Sequence, residues 1–131
     1  MFAALVLPVM AAASPPNPAW NCDDPVAQQE MNWCAAQDFQ KADDELNAQW
    51  KLTAAAMKER DRHTDRTHDK RPGHFDTLLA AQRAWLTYRD QHCANEGFLF
   101  RGGSMEPLLV GTCKAKLTRD RTQQLQFLVE Q

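Results

Sequence analysis

The sequence predicts an all-α fold, a small antiparallel up-down-up bundle of three main helices with two disulfides. Three observations predict it. Apolar side chains recur every three or four residues over three long segments, which is the period of an amphipathic helix. No segment alternates apolar and polar residues as a half-buried strand does. Four cysteines flank the starts and ends of these segments, and none forms a C-x-x-C pair. A chain of 131 residues has the size of one domain.

Taken in order, residues 1–13 read as a signal peptide. Phe2 to Ala13 is an apolar run ending in Ala11-Ala12-Ala13, the small-residue pattern that a signal peptidase accepts. The run is shorter than the roughly 20 residues needed to span a bilayer as a helix, so no membrane span is expected. Residues 14–21 form a Pro-rich linker, and 22–131 the helical domain. The first helix is expected from Ala27 to about Arg60, with Met31, Ala35, Phe39, Ala42, Leu46, Trp50, Thr53 and Met57 on one face. Asp23 or Asp24, ahead of Pro25, is the expected cap, because an Asp side chain accepts the orphan N–H groups and Pro fits the first turn.

From Lys58 to Arg71 the chain reads KERDRHTDRTHDKR, a solvated helix end and connection, followed by Pro72-Gly73. The second helix is expected from His74 to Glu96, with Phe75, Leu78, Leu79, Gln82, Trp85, Leu86, Arg89 and Cys93 on a broad stripe. The short link makes it antiparallel to the first. Gly97 ends it, and GFLFRGGSMEPLLVG reads as an ordered loop. The third helix is expected from Leu109 to Val129, with Val110, Cys113, Leu117, Arg121, Leu125 and Leu128 at helical spacing.

An even count of cysteines in a chain with an export signal favours disulfides over metal ligation. Cys93 closes the second helix and Cys113 opens the third, so a bridge between them would fasten the two across the loop, leaving Cys22 for Cys34. The second bridge requires the chain before Ala27 to fold back along the first helical turns. Crossed pairings stay open at this level.

A formal charge of −2 excludes the global basic field that nucleic-acid binding or a polybasic membrane contact requires. Asn21 to Asn47 holds seven acidic residues against Lys41, a solvated face that could also steer a basic protein partner. His63, His68 and His74, interleaved with Asp61, Asp65 and Asp69, lack the i,i+4 spacing of a metal site on a helix and read as a polar connector. His92-Cys93 is not a nucleophile pair, since neighbours on a helix diverge. Arg89, on an apolar stripe, reads as an internal ion pair or a stem packed on Trp85. Gly102-Gly103-Ser104 lacks the phosphate-loop pattern and is read as a tight turn displaying Phe98, Phe100, Arg101 and Met105. No motif points to catalysis, a cofactor or a metal.

The segments beginning at Cys22 and running QQEMNWCAAQDFQKADDELNAQW, then LLAAQRAWLTYRDQHC, GGSMEPL and, from Cys113, C-x-x-x-LTRDR resemble the LprI-type lysozyme-inhibitor family over about residues 22–126. One departure is Ala27, where relatives tend to carry Thr or Ser, which moves the expected cap to Asp23 or Asp24. The resemblance implies a helical, periplasmic or secreted protein without enzymatic activity that binds a protein partner, c-type lysozyme. The loop Arg101, Gly102, Gly103, Ser104, Met105 and Glu106 is the element expected to enter or cover the partner's cleft. The rival expectation is an envelope or stress-related interaction protein with an endogenous periplasmic partner.

Overall fold

A computed structural model describes residues 14–131; the signal peptide assigned to 1–13 lies outside the described residues. Three helices account for the fold: α1, Gln28–His63; α2, His74–Gly97; and α3, Glu106–Val129. A short 3-10 turn, Phe98–Phe100, follows α2 directly. Neither Asp23 nor Asp24 caps α1, and Pro25 stands ahead of the helix rather than in its first turn. Ala27 is the capping residue, in an extended conformation, with no side-chain oxygen to offer. Glu30, at the third helical position, reaches back instead. Its carboxylate accepts the N–H groups of Asn21 at 2.7 Å, Val26 at 2.6 Å and Ala27 at 3.3 Å. This is half of a capping box, and it needs no acceptor at position 27. The same bonds hold the preceding chain folded back, so that Cys22 meets Cys34 with their Cα atoms 5.5 Å apart.

With 36 residues, α1 is about 54 Å long at 1.5 Å per residue, and both other helices lie along it. Ala35 of α1 adjoins Gly111 near the start of α3, and Arg60 near the end of α1 bonds the Gln131 carbonyl, so α1 and α3 run parallel. The α1 to α3 contact is the most extensive in the molecule. α2 returns antiparallel to both and packs more on α3 than on α1, and Cys93 near its end is bonded to Cys113 in α3. The up-down-up order is therefore the observed one.

Small and large side chains divide the core. At the disulfide end Ala35, Ala42, Gly111 and Ala115 are buried and let α1 and α3 approach closely. A β-carbon on Gly111 would stand 3.2 Å from Ala35. Toward the other end Leu46, Met57, Leu78 and Leu125 form the buried cluster, flanked by Trp50, Phe75, Trp85 and Leu128. Thr53 is fully buried, and its hydroxyl donates to the Leu125 carbonyl at 2.9 Å, so this polar group carries no unsatisfied cost. Leu86, placed on the α2 stripe by spacing, is exposed at the edge of that stripe.

The connector is ordered by its acids. Asp61 accepts the N–H groups of His74 at 2.6 Å and Phe75 at 3.1 Å, capping α2 from the last turn of α1. Asp65 closes a turn on Thr67, and Asp69 pairs with Arg71. At the far end, Gly97 remains helical in its backbone. Its role is spatial, since a β-carbon there would stand 2.6 Å from Val110 Cγ2. α3 begins at Glu106 with Pro107 in its first turn, earlier than Leu109, because Pro has the fixed φ of a helix start and lacks only an N–H that has no partner there. Among the described residues no helix is long and apolar enough to cross a membrane.

Candidate functional site

The tip between α2 and α3 is built by a sequence of tight turns. Phe98-Leu99-Phe100 continues α2 as a 3-10 turn, and Arg101 N–H donates to the Phe98 carbonyl at 3.2 Å. Gly102 has φ +78°, in the left-handed region that glycine adopts without strain, and reverses the chain. Gly103 N–H then donates to the Phe100 carbonyl at 2.7 Å, and Glu106 N–H to the Gly103 carbonyl at 3.3 Å. Arg101, Gly102, Gly103 and Ser104 are exposed, Met105 is half-buried, and Glu106 belongs to the first turn of α3 rather than to the loop.

Two devices fix this tip on the bundle. The Cys93–Cys113 disulfide ties the helices on either side of it, and Asn32 Nδ2 of α1 donates to the Ser104 carbonyl at 2.8 Å. The Cys22–Cys34 disulfide lies at the same end, at the start of α1. The tip shows water an apolar surface: Leu99 is 79% exposed, Phe98 45% and Phe100 46%. The Arg101 guanidinium lies 4.2 Å from the centre of the Phe98 ring. Phe98 divides two open depressions. One, of about 480 Å3, is lined by Phe39, Pro107, Val110 and Lys114. The other, of about 570 Å3, is lined by Tyr88, Gln91 and His92.

Three of the seven acidic residues between Asn21 and Asn47 are engaged within the protein. Asp38 takes a two-pronged contact from Arg119 at 2.9 and 2.8 Å, and this hydrogen bonding holds its carboxyl below the usual range. Asp43 lies 3.6 Å from Arg89, and Glu30 is bound to backbone. Asp23, Asp24, Asp44 and Glu45 are left exposed. The charge available to steer a basic partner is therefore smaller than the residue count suggests.

Arg89 is buried. Its guanidinium lies 5.1 Å from the Phe39 ring centre and 5.2 Å from that of Trp85. Nε contacts Asp90 at 3.0 Å, and Nη1 donates to Thr118 at 3.3 Å. The stripe position thus holds both an internal ion pair and a stack on Trp85, with Phe39 as a second face.

The histidines of the connector do not converge. His63 pairs with Glu59, and His74 faces Thr64. His92, Glu96 and Cys113 do place ligand-type atoms within 4.8 Å of one another, but the Cys113 sulfur is bonded to Cys93 and offers no thiolate. His92 stacks on Tyr88 instead, with ring centres 5.4 Å apart.

Glu30, Asn32, Asp61 and the Asp38–Arg119 pair are the positioning residues that spacing rules passed over. Glu30 had a signal, a Glu at the third position of a helix. Asn32 and Arg119 had none, because their partners are 72 and 81 residues away.

The family model for lysozyme inhibitor LprI matches residues 22–125. A protein of Rhizobium meliloti (strain 1021), described as uncharacterized, is 44% identical over 126 residues, spanning 96% of this chain and 91% of the relative. No solved structure matches. The matched span contains both disulfides, all three helices almost to the end of α3, and the tip, so the chain belongs to the LprI lysozyme inhibitor family.

Proposed function

We propose that this protein acts outside the cytoplasm, in the periplasm or secreted, as a non-enzymatic inhibitor of c-type lysozyme. In this reading the Arg101–Glu106 segment, with the Phe98-Leu99-Phe100 turn beside it, enters or covers the enzyme's cleft. The observation that carries the proposal is an exposed apolar and cationic tip fixed by a disulfide and by Asn32, in a chain of this family. A pre-ordered tip binds without a large ordering cost, and aromatic and Arg side chains are the residue types that dominate protein interfaces. Two disulfides accord with an oxidising compartment.

The test is a cell-wall turbidity assay in which the oxidised protein is titrated against c-type lysozyme, with a disulfide-reduced control. Saturable inhibition that disappears on reduction is the expected outcome. No inhibition at large molar excess overturns the reading for that enzyme class and leaves an endogenous envelope partner as the occupant of the tip. Unchanged inhibition by the Arg101→Ala, Met105→Ala double variant removes the tip from the mechanism.

A further inference from the structure

The end of the bundle opposite the tip carries a second concave site. The 64–73 connector, the first turns of α2 and the last turns of α3 enclose a cleft of about 680 Å3. Met57, Leu78, Ala81 and Leu128 give it an apolar lining, the first two continuous with the buried core. Its charged rim is Arg66, Arg71 and Arg121 against Asp69. Asp69 and Arg71 satisfy each other through two contacts of 2.9 and 2.7 Å. Among the described residues, neither Arg66 nor Arg121 has a carboxylate within ion-pair distance; Arg66 is nonetheless close enough to Asp61 and Asp69 for its charge to help lower both carboxyls, so Arg121 is the cation without an acid beside it.

Arg121 is the more telling of the two. It is half-buried, and burial pushes its pKa down, as expected for a cation withdrawn from water without a countercharge. Nε and Nη1 donate to the neutral side chains of Gln82 at 2.9 Å and Gln124 at 3.1 Å. These bonds fix the guanidinium plane and leave the Nη2 edge without a described acceptor. A half-buried cation that faces an apolar cleft and lacks an acid calls for an anion with an apolar body.

We propose that this cleft binds a single-chain amphiphile with a carboxylate head, of the fatty-acid class. The head sits against Arg121, supplying its missing countercharge, with Arg66 on the rim beside it, and the chain lies along Met57, Leu78 and Leu128. The carboxylate matches the planar guanidinium fork, and the mostly apolar lining favours an alkyl chain over a polar peptide. The site is remote from the tip and does not depend on the inhibitor reading.

The full oxidised chain titrated calorimetrically with decanoate below its micelle concentration tests this, with decanol and acetate as controls lacking the charge and the chain. Saturable one-to-one binding of decanoate is expected, with each control weaker by about tenfold or more. Arg66→Gln and Arg121→Gln should each weaken decanoate about tenfold and leave decanol unchanged. Arg66 is exposed, so its variant reports on the head-group site even if the Arg121 variant fails to fold. Absence of saturable decanoate binding, equal affinity for decanoate and decanol, or unaltered decanoate affinity in folded Arg66→Gln would overturn the proposal.

Discussion

Asn32 in the second turn of α1 and Ser104 in the tip are joined by a 2.8 Å hydrogen bond from Nδ2 to the backbone carbonyl, although 72 residues separate them. This bond reaches the tip from outside the two helices that carry it. It limits rotation about the ends of α2 and α3, which the Cys93–Cys113 bridge alone would leave possible. Replacing Asn32 by Ala should leave global stability within about 1–2 kcal/mol of the parent, since two side-chain hydrogen bonds are lost, the exposed one to Ser104 and the one accepted from Gln28. Amide exchange at Gly102 to Met105 should rise, and under the proposed function inhibition of lysozyme should weaken several-fold. Unaltered exchange in the tip would show that the disulfide suffices.

Arg89 joins α2 to both other helices, through Asp43 and Phe39 of α1 and Thr118 of α3. Arg89→Ala should cost about 3 kcal/mol in urea unfolding, because it opens a cavity between two aromatic rings and strips the partner groups. Arg89→Lys should fall between the two, as an ammonium keeps the charge but not the planar fork. A loss below about 1 kcal/mol for the Ala variant would mean that the guanidinium is not central to the packing.

Gly111 marks a close approach of α1 and α3, with Ala35 only 3.2 Å from the site of an added β-carbon. Gly111→Val should destabilise by about 1–3 kcal/mol through overpacking against helix backbone, despite the better helix propensity of Val. An unchanged urea midpoint would place the helices further apart than described.

Asp61 should make stability depend on acid pH. Its carboxyl is held below its ordinary pKa first by the Phe75 N–H and then by that of His74. Glu30 is likewise lowered, first by the Val26 N–H, and Asp38 by the Arg119 side chain. A carboxylate with a depressed folded pKa contributes stability that is fully present above the unfolded value of about 4 and is lost as pH falls through the folded value. The thermal midpoint should therefore drop below pH about 4. D61N should be less stable than the parent at neutral pH, with the gap closing in acid. A pH-independent gap would contradict the capping role.

The Cys93–Cys113 bridge spans 20 residues, a separation for which loop-closure entropy gives about 3 kcal/mol. The paired Cys93→Ser, Cys113→Ser variant should lose about that much by urea unfolding and, under the proposed function, lose inhibition more steeply than stability, since the bridge lies under the tip. Equal inhibition by the folded variant would separate the disulfide from function.

Much of the fold was legible because amphipathic periodicity is a local property. The stripe from Met31 to Met57 marked α1, and the places of Cys93 and Cys113 at the ends of two helices favoured the bridge that the structure shows, while leaving crossed pairings open. Boundaries were less legible. α3 starts at Glu106 because Pro107 fits a first turn, a cue that the glycine-rich context obscured. α1 is capped backward by Glu30, whereas the Asp residues ahead of it drew the expectation. The tip was legible as an ordered turn, but the exposure of Leu99 and the anchoring by Asn32 were not.

Sequence by itself determined the helical class, the order of the elements and the family, because each rests on local spacing or on motifs contiguous in the chain, whereas it left the cysteine pairing open until the structure joined Cys22 to Cys34 and Cys93 to Cys113. Tertiary structure alone decided how the helices are rotated and staggered, and with that which charges are spent. Arg89 between Phe39 and Trp85, Asp38 on Arg119, and Arg121 at the cleft without an acid depend on partners from other helices. A 3.6-residue period fixes which face of a helix is apolar, but only close packing fixes what that face meets.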